Sequence, residues 1–156
     1  MGISRLSIPK DWQILELHMD SASASARGGH VIIKSGFALD ACDNTLASLI
    51  GGVFPGRSKL IASRSDLANV NQAAKKGYGY RLMECGVISN LGDVQTFNSR
   101  MDGLTRGILD AFGIGCIQGI PPKAETKPAV NQTAVGQAVE NSTDAGIKFT
   151  YAVLCS

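Results

Sequence analysis

The sequence predicts an α/β domain in which a sheet is flanked by helices. Two kinds of segment carry that prediction. Short apolar runs of strand character occur at 13–18, 30–35 and 80–90. Two longer stretches, from Asp40 to Val53 and from Gly92 to Ala111, place apolar residues at three- and four-residue steps instead. The two kinds alternate along the chain, as an α/β domain requires.

The first strand, QILELH (13–18), is apolar on both faces, as an interior strand is, yet it holds Glu16 and His18. Residues 21–29 (SASASARGG) are small and read as a loop. HVIIKS (30–35) is a second strand, with β-branched residues at its centre. Asp40 caps a helix whose apolar positions are Ala41, Leu46, Leu49, Ile50 and Val53. FPGRS (54–58) is a turn. SDLANVN (65–71) suits a short strand, with QAAKKGYG (72–79) as the loop after it. YRLMECGVISN (80–90) is the next strand. Gly92 and Asp93 then open a helix striped by Val94, Phe97, Met101, Leu104, Ile108 and Ala111. Residues 118–145 hold three of the five prolines and no aromatic residue, which predicts a linker, extended or disordered. GIKFTYAVL (146–154) alternates like a strand and predicts either a return to the main sheet or the start of a second, truncated module.

Composition narrows the function classes. With 156 residues, 44% of them hydrophobic, the chain suits one domain, here 1–117, followed by a tail. A net charge of +2 without a basic block interleaved with aromatics argues against nucleic acid as a partner. No run approaches the roughly 18 apolar residues of a membrane helix, and the N-terminus lacks the apolar centre of a signal peptide. The expectation is synthesis in the cytoplasm, with the four cysteines at 42, 85, 116 and 155 as reduced thiols.

Two residues stand out against this background. His18 closes a strand before a small-residue loop, and ligand sites of open α/β sheets lie beyond the carboxyl ends of strands. It is therefore either a structural histidine or a metal ligand. Glu84 lies near the end of another apolar strand, where an unpartnered carboxylate costs several kcal/mol or takes up a proton. One reading pairs it with Arg81 or a lysine of the preceding loop. The other makes it a general acid/base.

ILELHMDSASASARGGHVIIKSG, followed by SDLANVNQAAKKGYGYRLMECGVISNLGDVQTF, resembles the zinc-dependent N-acetylmuramoyl-L-alanine amidases of phage endolysins and bacterial autolysins, the type 3 amidases. The likeness spans about residues 13–113 and centres on the signature Leu82-Met83-Glu84-Cys85-Gly86-Val87-Ile88-Ser89-Asn90. It implies a mixed sheet flanked by helices, Zn2+ as cofactor and peptidoglycan as substrate. The bond cut would be the amide between N-acetylmuramic acid and L-alanine of the stem peptide, in the cell wall. His18 matches one of the family's three zinc ligands, two histidines and a glutamate. Glu84 matches the glutamate that assists the attacking water.

The family also has a GHGG-like strand and a downstream glutamate ahead of the residue matched by His18, and only 17 residues precede it here. The expectation is the C-terminal half of the catalytic fold, lacking the N-terminal strands. A second chain could supply the rest. The alternative is a non-catalytic wall-binding or regulatory fragment of an endolysin. His30 falls where the family has an ordinary strand residue, and Asp20 where many members have asparagine. Lys75, Lys76, Asn69 and Asn71 lie in a segment that could border the peptide groove. GIKFTYAVL resembles the opening strand of a cell-wall-binding module at 146–156.

Overall fold

A computed structural model describes residues 2–114. The expected linker at 118–145, the segment at 146–156, Cys116 and Cys155 lie outside the described residues. A 3-10 turn (Ile3–Arg5) leads into β1 (Gln13–Asp20), β2 (His30–Lys34), α1 (Ala41–Val53), β3 (Ile61–Arg64), α2 (Ala68–Lys76), β4 (Gly79–Val87) and α3 (Leu91–Ala111). The four strands form one sheet in the order β1-β4-β2-β3. β1 runs parallel to β4 and β2 parallel to β3, while β2 and β4 are antiparallel. The sheet is therefore mixed and flanked by helices, as expected.

Strand alternation sorts the side chains into two layers. On one face Leu15, Val31, Ile33, Met83 and Cys85 pack against Leu46, Ile50, Leu104 and Ile108 of α1 and α3. On the other, Ile32 and Leu82 meet Val70 of α2. Ile14, Ala73 and Tyr78 extend that second layer, covered by Ile3, Leu6 and Ile8. β4 lies between β1 and β2 and is buried from Leu82 to Val87.

α1 begins where Asp40 predicts. Asp40 accepts from the Asp43 N–H at 2.8 Å, and the Asp40 N–H donates to Asp43 at 2.9 Å, a reciprocal cap. Arg81 ties this cap to the sheet. Its Nε donates to Asp43 and its Nη1 to Gln13, both at 2.6 Å, and its Nη2 donates to Asp40. Buried and bonded on three sides, Arg81 is committed to α1.

The segment 65–79 differs from its expected strand and loop. The strand precedes it, at Ile61–Arg64, and residues 68–76 are helical. Val70 and Ala73, one helical turn apart, are the buried positions, and Gly77 ends the helix in the left-handed region at φ 71°. SDLANVN alternates apolar and polar residues weakly enough to suit either period, and packing on the sheet selects the helix. α3 starts at Leu91, one residue before the expected Gly92. Its cap is Asn90, whose side chain accepts from the Asp93 N–H at 3.1 Å.

Asp93 is buried, and its Oδ2 accepts from the backbone N–H of Gly28 at 2.8 Å and of Val87 at 2.9 Å. One carboxylate thus ties the loop before β2 to the end of β4. Gly86, at φ 85°, makes this possible: a Cβ there would lie 2.8 Å from Asp93 Cβ and 2.9 Å from the Phe54 ring. Asp93→Ala leaves both buried N–H groups unsatisfied and is expected to cost about 2–4 kcal/mol in urea unfolding. Asp93→Asn keeps an oxygen that can accept both bonds and should recover most of that loss.

Candidate active site

The pairing register brings together three residues that are far apart in sequence. His18 of β1 lies beside Glu84 of β4, and Glu84 lies beside His30 of β2. Lateral neighbours in a sheet project to the same face, so His18, Glu84 and His30 form one row across three strands. The row occupies the α2 face, at the carboxyl ends of β1 and β4. Both sites picked out in the sequence, His18 and Glu84, are therefore adjacent. His30 joins them, because β2 runs antiparallel to β4 and enters the sheet at this end.

Glu84 is 9% exposed and His30 8%. Glu84 Oε2 and His30 Nδ1 are buried without a hydrogen-bond partner among the described residues. Of the two readings of Glu84, pairing with Arg81 does not occur, since Arg81, three residues away on the strand, points to the other face and binds α1. Burial, reinforced by the Asp20 carboxylate, pushes the Glu84 carboxyl up to about 7. Burial and the nearby Arg57 charge hold the His30 imidazole below its ordinary value. An acid titrating near neutrality can both take and return a proton, as general acid/base chemistry requires.

Glu16 is the opposite case on the same face. It is 5% exposed, yet every bond it accepts is a good one. His18 Nε2 lies 2.7 Å from Oε1. Asn69 Nδ2 of α2 donates to both oxygens, at 3.0 and 2.9 Å, and the Tyr80 hydroxyl donates to Oε2. Burial alone would raise this carboxyl, but the bonds from His18, Tyr80 and Asn69 outweigh it and hold it at about 2. The period of two placed Glu16 with His18 on one strand face, and that was the available sequence signal. Nothing local announced Tyr80 or Asn69 as its donors.

The loop at 21–29 is held by the signature that follows β4. Ser89 donates to the Ala22 carbonyl, and Asn90 Nδ2 to the Ala24 carbonyl at 2.9 Å. Asp20 accepts from Arg57, and Arg57 Nε also donates to the Gly28 carbonyl at 3.2 Å. Of the expected groove residues, Asn71 closes a turn on the Ser65 carbonyl at 2.8 Å. Lys76 donates to the Leu6 carbonyl at 2.7 Å, fastening the N-terminal segment to α2.

A catalytic zinc needs three protein ligands. Among the described residues no group of three or more His, Cys, Asp or Glu is arranged to hold a metal ion. Glu16 already engages His18 Nε2, and the orphaned atoms of His30 and Glu84 do not complete a set. The described residues alone therefore do not form a zinc site. No helix among them is long and apolar enough to cross a membrane.

No protein-family model matches the chain. It is 37% identical over 99 residues to Probable autolysin PH of Staphylococcus aureus, an alignment covering 64% of this chain and 20% of that protein. The chain thus spans about a fifth of the length of this curated relative. Its structure is similar to the catalytic domain of the CD27L endolysin targeting Clostridia Difficile, with a TM-score of 0.53 at 19% identity over 66% of this chain and 54% of that one. It is also similar to the N-acetylmuramyl-L-alanine amidase Ami1 from Mycobacterium abscessus, with a TM-score of 0.51 at 18% identity over 64% and 52% of the two chains. Ami1 from Mycobacterium smegmatis gives 0.50 at 22% identity over 64% and 53%. At such identities the likeness is one of fold, and the mixed sheet with its three helices is the α/β fold of these proteins.

The buried Glu84 carboxyl carries a stability signature. Because its folded pKa, about 7, exceeds the ordinary 4.5, the folded state holds the extra proton between those values. Stability is therefore lost as pH rises through that window. With chelator present, Glu84→Gln should match wild type near pH 4 and exceed it above pH 7, by at most about 3 kcal/mol. Thermal unfolding across pH 4–8 reads the gap, and a constant difference would remove the desolvation account.

Proposed function

We propose that the chain carries part of the catalytic centre of a peptidoglycan hydrolase that cleaves the amide between N-acetylmuramic acid and L-alanine of the stem peptide. The observation that carries this reading is Glu84, a desolvated carboxyl beside His18 at the carboxyl end of the central strand. The shared fold and the autolysin relative support the substrate class. In the proposed reaction a water attacks the amide carbonyl, forming the new C–O bond as the C–N bond breaks. Glu84 takes a proton from the water and returns it to the leaving amine, so water and amide become a carboxylic acid and an amine. The site of action is the cell wall, after synthesis in the cytoplasm.

Zinc is proposed as the cofactor of the complete site, with His18 as one ligand. The described residues supply too few donors for it, so the remaining ligands would come from a second chain or from elsewhere in a longer protein. This same shortage favours the second reading, a wall-binding or regulatory fragment that keeps the fold without turnover.

Purified cell walls separate the two. With zinc and the segment or partner that carries the remaining ligands supplied, the catalytic reading expects newly released α-amino groups, abolition of that release by a chelator, and a loss of about 10²–10⁴-fold in Glu84→Gln. Sedimentation with walls, without amine release and without stoichiometric zinc by elemental analysis, would leave the binder.

A further inference from the structure

We propose that His30 is a further residue of the catalytic centre: its Nδ1 and Glu84 Oε2 form a two-point seat for one small group that both donates and accepts hydrogen bonds. In the free protein that group is a water molecule, and a hydroxyl or amino group of the ligand takes its place. The effect on turnover rests on the amide-hydrolysis reading, whereas the seat itself does not. His30 and Glu84 face each other in the antiparallel pair of β2 and β4, where opposite Cβ atoms stand about 4.5–5.5 Å apart. Gly29 permits that approach, because a Cβ there would lie 2.6 Å from the Glu84 carbonyl oxygen. The backbone on either side of His30 is tied down. The Gly29 N–H donates to the Phe54 carbonyl at 2.9 Å, and the Val31 N–H to the Leu60 carbonyl at 2.8 Å.

These two atoms are the buried side-chain polar atoms left without a partner among the described residues, and they belong to one facing pair. Buried polar groups are hydrogen-bonded as a rule, so two orphans side by side point to a partner shared between them. Donors nearby bond elsewhere. Asn69 and the Tyr80 hydroxyl serve Glu16, and Arg57 serves Asp20 and the Gly28 carbonyl. A carboxyl and an imidazole can each present either a hydrogen or a lone pair. An occupant that offers both, such as water, a hydroxyl or an amine, satisfies the seat whichever of the two side chains holds the hydrogen.

A crystal structure of the full chain tests the seat. The expected result is an ordered water within about 3.2 Å of both His30 Nδ1 and Glu84 Oε2 in the wild type, and none in His30→Leu. His30→Asn carries a polar atom close to the position of Nδ1 and should keep the water. In the wall assay, with zinc and the remaining ligands supplied, His30→Leu should lower kcat/KM by about 10–100-fold and His30→Asn by less than about threefold. A histidine that serves only packing would move thermal stability and leave kcat/KM in place in both variants, and that outcome overturns the proposal. So does a wild type in which His30 bonds directly to Glu84 or the space between them is dry. Should His30→Leu not fold, the water in the wild type still decides. A wild type that releases no amine from walls would instead remove the amide-hydrolysis reading, and the ordered water alone would then support or overturn the seat.

Discussion

A carboxyl group kept out of water at the middle of a sheet is the constraint around which this domain is organised. Glu84 belongs to β4, and β4 is flanked by β1 on one side and β2 on the other. Its burial needs both neighbouring strands, the helix layer of α1 and α3 behind, and α2 in front. Each is anchored by a separate polar device: Arg81 on the cap of α1, Asp93 on the backbone of Gly28 and Val87, and Lys76 on the N-terminal segment. Arg81 is the clearest instance, a buried guanidinium three residues from Glu84 that serves the opposite face.

Two buried glutamates on one face come to opposite states, and the difference lies in their donors and neighbouring charges. Glu16 has four hydrogen bonds from three side chains and stays ionised to about pH 2. Glu84 has an orphaned oxygen and a neighbouring negative charge, and its carboxyl is pushed up to about 7. Equal burial therefore does not mean equal chemistry. One is held as a fixed charge and the other titrates near neutrality, as the proposed general acid/base would.

The signature around Glu84 divides in the same way. Glu84 alone faces the row of candidate site residues. Gly86 supplies a backbone conformation and a close approach to Asp93 that a side chain would block. Ser89 and Asn90 hold the loop at 21–29, and Asn90 also caps α3. A pattern that reads in sequence as a catalytic motif is, residue for residue, mostly a device for closing loops around one carboxylate.

Much of this was legible in the chain itself. β1, β2, β4, α1 and α3 follow from apolar periodicity and from Asp40, since period and capping are local properties of consecutive residues. His18 and Glu84 stood out because a titratable group on an apolar strand is costly wherever that strand packs. The helical state of residues 68–76 was not legible, because a weakly alternating segment takes its period from the surface it packs on. Nor was the place of His30, which depends on β2 running antiparallel to β4, a choice made between strands and not within one. The partners of Glu16 come from residues 53 and 64 positions away. Sequence determined which groups would be expensive to bury. Tertiary structure alone decided which of them received donors, because hydrogen bonds between strands and helices form only once register and packing have brought distant residues within about 3 Å.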